Sequence, residues 1–133
     1  RFWGRFADVS SRLVMVRAGM MSAAVGGVIF LLGVFRSEWL SEIWVLPLLY
    51  FVLSIAHQGV RLGRKTYVVN LGEGNKRTDY VSVGNTLIGV MLLMTGFISL
   101  LEPLIGVSGV ILILSFMGMA GSWMAIKLPE VER

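Results

Sequence analysis

The polar side chains best suited to binding a solute or carrying a proton lie on one side of an otherwise apolar segment, residues 42–60, and just after it. They follow one another at spacings of four, three and four residues and are Tyr50, Ser54, His57 and Arg61, with Gln58 alongside. In a helix such spacings place side chains on one face. Because imidazole titrates near neutral pH, His57 is a candidate proton carrier. A hydrogen-bonded His57 and an Arg61 that only extends towards water are the simpler interpretations.

Other reactive chemistries have little support in the sequence. The chain has no cysteine and a single histidine, so a thiolate nucleophile and a three-ligand metal site are not expected. No acid lies close enough to His57 in sequence to indicate a catalytic triad, and the glycine-containing turn at 72–76 lacks P-loop spacing. We therefore predict that the protein is not an enzyme and needs no metal or cofactor. An intramembrane enzyme that uses His57 is the least favoured hypothesis.

Four long runs without a formal charge dominate the chain. Hydrophobic residues make up 56% of it and charged residues only 15%, whereas soluble domains carry about 25% charge. A bilayer core requires roughly 20 apolar residues in a helix. The sequence predicts an all-α membrane protein with four transmembrane helices at about 18–35, 42–60, 79–101 and 103–126. The segments between and around them are a motif loop at 1–17, a loop at 61–78 and a tail at 127–133.

The basic residues predict how these helices are oriented. Eleven of the twelve lysines and arginines lie in segments 1–17, 61–79 and 127–133, and only Arg36 lies on the other side. The positive-inside rule then places both chain ends and the 61–78 loop in the cytoplasm. The net charge of +4 is thereby explained by topology, and no nucleic-acid partner is predicted. The expected partner of the four helices is a lipid bilayer.

Small residues recur on single faces of three of the predicted helices, which indicates close helix–helix packing in lipid. In the first helix they are Gly19, Ala23 and Gly27, with Ser22 and Gly26 beside them. In the third helix they are Ser82, Asn85, Gly89 and Gly96, and in the fourth Ser115, Gly118 and Ser122. Packing is the favoured interpretation of every one of these glycines.

Two polar segments resemble one family of transporters. The stretch from Gly4 to Arg12 resembles the G-x-x-x-D-R-x-G-R-K motif of the major facilitator superfamily, in which Gly4, Asp8 and Arg12 match. Val9, Ser11 and Leu13 depart from it. Residues 57–67, continuing through 75–80 to 85–89, resemble the connection between the tenth and eleventh helices in a bacterial subgroup of this superfamily.

The resemblance implies that the chain spans the end of helix eight to helix twelve of a twelve-helix bundle. Gly4, Asp8 and Arg12 would belong to a gating motif, in which the Asp complements the dipole of a helix in the other half-bundle. The tenth and eleventh helices of such proteins line the central substrate cavity. The candidate cavity-lining residues here are Tyr50, Ser54, His57, Gln58, Asn85, Thr86 and Thr95. The simpler interpretation of Asp8 and Arg12 is a solvated turn and a marker of the inner side.

The leading hypothesis is therefore a fragment of a secondary active transporter that moves a small solute across a bacterial-type inner membrane. Its missing partners would be the N-terminal helices of the same transporter, and its substrate is not indicated by the sequence. The alternative hypothesis is a stand-alone four-helix membrane scaffold or assembly protein. The opening Arg1-Phe2-Trp3, without an initiator methionine, favours a fragment.

Overall fold

The computed structural model describes residues 2–7, 9–72 and 76–131. Throughout these ranges the secondary structure is helical, and the helices are α1 (Phe2–Ala7), α2 (Ser11–Phe35), α3 (Ser37–Leu40), α4 (Val45–Leu71), α5 (Lys76–Ser99) and α6 (Glu102–Ile126). Four of them, α2, α4, α5 and α6, are long and apolar enough to cross a membrane. At 24 to 27 residues each, they reach about 36–40 Å, more than the roughly 30 Å of a bilayer core. The all-helical fold with four helices of spanning length is confirmed.

The helices extend further than the predicted spans because the charges that mark a membrane boundary do not end a helix. The predicted motif loop at 1–17 contains α1 and the first two turns of α2, which begins at Ser11. Ser10 caps α2, since its hydroxyl accepts a hydrogen bond of 3.1 Å from the N–H of Leu13. The predicted loop at 61–78 is helical as far as Leu71, and helical again from Lys76. This extension of α4 is packed, because Gly63 and Tyr67 are buried.

The central helix is α2, which packs against α6 on one side and α4 on the other. Three glycines of α2 face three serines of α6 in antiparallel register, seven residues apart on each helix: Gly19 with Ser122, Gly26 with Ser115, and Gly33 with Ser108. A Cβ at Gly33 would lie 3.0 Å from the Ser108 Oγ, and at Gly19 and Gly26 it would overlap the serine Oγ, which would have to rotate away from its present position. We call these three contacts the glycine–serine ladder.

Two of the three ladder hydroxyls, those of Ser115 and Ser122, are satisfied within their own helix. Ser115 donates a 2.8 Å hydrogen bond to the Ile111 carbonyl and Ser122 a 2.9 Å bond to the Gly118 carbonyl. The ladder therefore brings two backbones together without burying an unpaired polar atom.

Gly27, by contrast, has nothing within 4 Å of a Cβ position. Residues that contact a crossing helix recur at alternating steps of three and four. Residues spaced strictly by four, as predicted for Gly19, Ala23 and Gly27, gradually turn away from that contact line. Gly27 therefore no longer faces α6.

The contact between α2 and α4 also depends on glycines. A Cβ at Gly59 would lie 2.7 Å from the Ala18 Cβ and 2.7 Å from Trp3 Cε2. At Gly63 it would lie 2.8 Å from Met15 Cγ and 2.9 Å from the Ser11 carbonyl oxygen. The Trp3 indole N–H adds a 2.9 Å hydrogen bond to the Ile55 carbonyl, which ties α1 to α4. The second half of α4 is thereby held close to α2.

Helix α5 is packed quite differently from α2. None of its described residues is buried. Gly89 and Gly96 of the predicted small-residue face have nothing within 4 Å of a Cβ position, and neither has Gly84, so these glycines make no close helix contact in the part of the chain that the structure describes. Close contact with α4 occurs at the loop, where a Cβ at Gly72 would lie 2.7 Å from the Arg77 Cα.

Candidate functional site

The polar face predicted on α4 lies open in the structure. Tyr50 is 72% exposed, and His57 and Gln58 are exposed as well. Ser54 is half-buried, and its hydroxyl donates a 2.8 Å hydrogen bond to the Tyr50 carbonyl one turn earlier. These side chains belong to one face of one helix, and the described helices of this chain leave that face uncovered. Its polar groups remain free to contact water, a solute or another helix.

The candidates on α5 are not brought together with Tyr50. Asn85 and Thr86 are exposed and Thr95 is half-buried. The Thr86 hydroxyl donates to the Ser82 carbonyl at 3.0 Å, and that of Thr95 to the Leu92 carbonyl at 2.8 Å. Asn85 lies towards the start of α5, beside the second half of α4, where it lines a pocket with Arg64 and Lys65. The predicted cavity residues are therefore spread over two helices and are not gathered into one enclosed site.

Arg12, the last residue of the predicted gating motif, binds the C-terminal tail. Its Nη2 lies 2.7 Å from Glu130 Oε2, and its Nη1 donates to the Leu128 carbonyl at 2.9 Å and to the Ile126 carbonyl at 3.3 Å. The two side chains are 28% and 40% exposed, so water screens the ion pair only in part. Gly4 lies in α1, and Asp8 lies outside the described residues.

Two further side chains hold the same tail. The Ser10 hydroxyl donates to Glu130 Oε1, and the buried Tyr67 donates through its hydroxyl to the Pro129 carbonyl at 3.1 Å. We call this set of contacts the tail clasp: Ser10, Arg12, Tyr67 and the segment 126–130. The clasp joins the start of α2, the extension of α4 and the end of α6. Neither Ser10, Tyr67 nor Glu130 is singled out by the sequence, because pairs separated by more than 60 residues leave no local pattern.

Within residues 2–7, 9–72 and 76–131, no three His, Asp or Glu side chains form a group that could hold a metal ion. At the end of α6 the Lys127 ammonium lies 4.9 Å from the centre of the Trp123 ring. Such a cation–π pair suits the boundary between lipid and water.

Comparison with protein-family models gives no match, and comparisons with curated proteins and with solved structures give none.

Proposed function

We propose that this chain is the C-terminal part, from the end of helix eight to helix twelve, of a major facilitator transporter, and that it contributes to moving a small solute by alternating access. The observation that carries the proposal is the uncovered polar face of α4, on which Tyr50 is 72% exposed, together with an α5 that buries none of its described residues. Polar side chains at membrane depth are costly unless they face protein or a water-filled cavity. Further helices of the same transporter would supply that environment.

The packing supports different roles for different helices in the proposed transporter. Helices α2 and α6, held by the glycine–serine ladder, form the peripheral support, and α4 rests on it through Gly59 and Gly63. The outer face of α4 and most of α5 are then available to line a central cavity at the interface of two half-bundles. In this proposal Gly4, Asp8 and Arg12 act at the cytoplasmic gate. The Glu130 carboxylate forms an ion pair with Arg12 and so partly neutralises its charge.

A stand-alone membrane scaffold is the second candidate. It is favoured by the tail clasp, which ties both ends of the described chain together. In a scaffold the open faces of α4 and α5 would contact other membrane proteins and would exclude water. Water access to the polar face therefore separates the two functions.

Cysteine labelling tests water access against a low background, because this chain has no native cysteine and the unsubstituted full-length protein serves as the control. Tyr50 and Leu48 are 72% and 62% exposed, are separated by about 3 Å of helix rise, and lie on roughly opposite sides of α4. In the full-length transporter in membranes, we expect a hydrophilic maleimide to react with Tyr50→Cys about tenfold faster than with Leu48→Cys, because in this proposal the polar face of α4 meets water and the opposite, aliphatic side does not. Equal, slow reaction of both cysteines would contradict the transporter proposal and support the scaffold.

Topology is tested with two exposed positions, Ser41 between α3 and α4 and Thr78 at the start of α5. In intact cells a membrane-impermeant maleimide should modify Ser41→Cys and leave Thr78→Cys unmodified until the membrane is opened. The physical reason is the concentration of basic residues in segments 1–17, 61–79 and 127–133, which favours the cytoplasmic side. The reverse pattern would place both ends outside, and modification of both positions in intact cells would contradict the four-span arrangement.

A further inference from the structure

A pocket of about 320 Å³ lies between the second half of α4 and the first half of α5. Its volume is at the lower end of the range of small-ligand sites, about 300–1,000 Å³. Four residues of each helix line it: Arg64, Lys65, Val68 and Val69 from α4, and Val81, Gly84, Asn85 and Ile88 from α5. The pocket thus combines two cations and an amide with a wall of branched aliphatic side chains.

The positive charge of this pocket is not compensated by the described part of the chain. No carboxylate is among its described lining residues. The ion pairs found across residues 2–7, 9–72 and 76–131 are Arg12 with Glu130 and Arg36 with Glu38, so Arg64 and Lys65 have no acidic partner there. Two unpaired cations beside an apolar wall are complementary to an anion that carries a hydrocarbon chain.

The position of the pocket along α4 fits the level of lipid headgroups. The predicted span ends at about residue 60, so Arg64 and Lys65 lie about 6–8 Å of helix rise beyond the hydrocarbon layer, within the roughly 5–8 Å of the headgroup region. Ile88 of α5 continues the pocket towards the bilayer interior. Because α5 buries none of its described residues, the pocket can be reached from the side as well as from the cytoplasm.

We propose that this pocket binds an anionic phospholipid. The phosphate contacts Arg64 and Lys65, the Asn85 amide donates a hydrogen bond to a phosphate or ester oxygen, and an acyl chain packs on Val81 and Ile88. The lipid would fill the gap between α4 and α5 and hold α5 in place. The proposal requires only that α4 and α5 cross a membrane, and it does not depend on transport.

Charge removal is the first test. The purified, delipidated protein in neutral detergent is titrated with phosphatidylglycerol or phosphatidylcholine of matched chains, and bound lipid is counted by native mass spectrometry. We expect phosphatidylglycerol to bind preferentially, and Arg64→Gln with Lys65→Gln to weaken its binding about fivefold for each cation removed. The control is Lys76→Gln with Arg77→Gln, an exposed basic pair at the start of α5 that changes the net charge equally. Equal losses in both variants would overturn the proposal, because they would show a general surface attraction.

Filling the pocket is the second test, and it retains every charge. A Cβ at Gly84 meets nothing within 4 Å, so Gly84→Leu should be accommodated while its side chain occupies the pocket. We expect this variant to lose the preference for phosphatidylglycerol, whereas Gly89→Leu, which is equally unobstructed and outside the pocket, should retain it. Unchanged lipid binding by Gly84→Leu would overturn the proposal. Displacement of the lipid by millimolar inorganic phosphate would also overturn it, because it would show a site for a free anion.

Discussion

Replacing Gly26 with leucine is expected to lower the free energy of unfolding by about 2 kcal/mol or more, because overpacking a close helix contact forces backbones apart. A Cβ at this position would collide with the Ser115 Oγ across the α2–α6 interface. The neighbouring Gly27 has nothing within 4 Å of its Cβ position, so Gly27→Leu should be neutral or slightly stabilising, as leucine favours a helix over glycine. Thermal unfolding of the two variants in detergent would measure the difference.

A smaller substitution tests the contact itself. Gly26→Ala should also destabilise the chain, and Ser115→Gly should restore most of the loss by removing the atoms that the new methyl group meets. Such coupling between neighbouring residues is expected to be about 0.5–3 kcal/mol. Strictly additive effects of Gly26→Ala and Ser115→Gly would contradict the ladder.

The substitution Arg12→Ala is expected to lower the free energy of unfolding by about 1–3 kcal/mol. The reason is that charge-assisted hydrogen bonds to a partly buried carboxylate and to two carbonyls are lost together. The tail should then leave α2, which a cysteine at Leu128 would report by faster maleimide labelling. The matched control is Arg17→Ala, since Arg17 is exposed on the same helix and forms no ion pair within the described ranges.

The tail clasp also predicts that the effects of substituting Arg12 and Glu130 are coupled. In a double-mutant cycle, Arg12→Ala and Glu130→Ala should together cost less than the sum of the single substitutions, because either one already breaks the ion pair of 2.7 Å. Part of the coupling should disappear at high salt, since both side chains retain some exposure to water. Independent effects at low salt would show that the tail is held by other contacts.

The helices of this chain were predictable because membrane spans depend on long uncharged runs, which a single sequence displays directly. The ends of those helices were not. Arg61, Arg64 and Lys65 were predicted to lie beyond the end of the second membrane helix, yet α4 continues to Leu71, because Gly63 and Tyr67 pack against neighbouring segments. Gly19, Gly26, Ser115 and Ser122 were identified from the sequence, whereas Gly33 and Ser108 were not. Nor were the pairings found, since the register of two helices is a property of both together.

The candidate site illustrates a similar limit. The spacing of Tyr50, Ser54 and His57 places them on one face of α4, and the exposure of Tyr50 and His57 accords with an unfilled face. Arg12 was predicted to act at a gate, whereas its partner Glu130, 118 residues away, could not be found by reading along the chain. Nor did the spacing on α5 indicate that Asn85 would line a pocket together with Arg64 and Lys65.

The backbone of α6 carries one interruption, at Gly106, where φ is +71° and ψ is 168°. This conformation requires glycine and lies two residues before Ser108, the outermost serine that faces α2. The first turn of α6, with Glu102 and Pro103, is therefore a short helical segment separated from the rest of α6 by a break in the helical backbone. All three serines that face α2 lie after this break, so the α2–α6 interface is built entirely from the continuous part of α6.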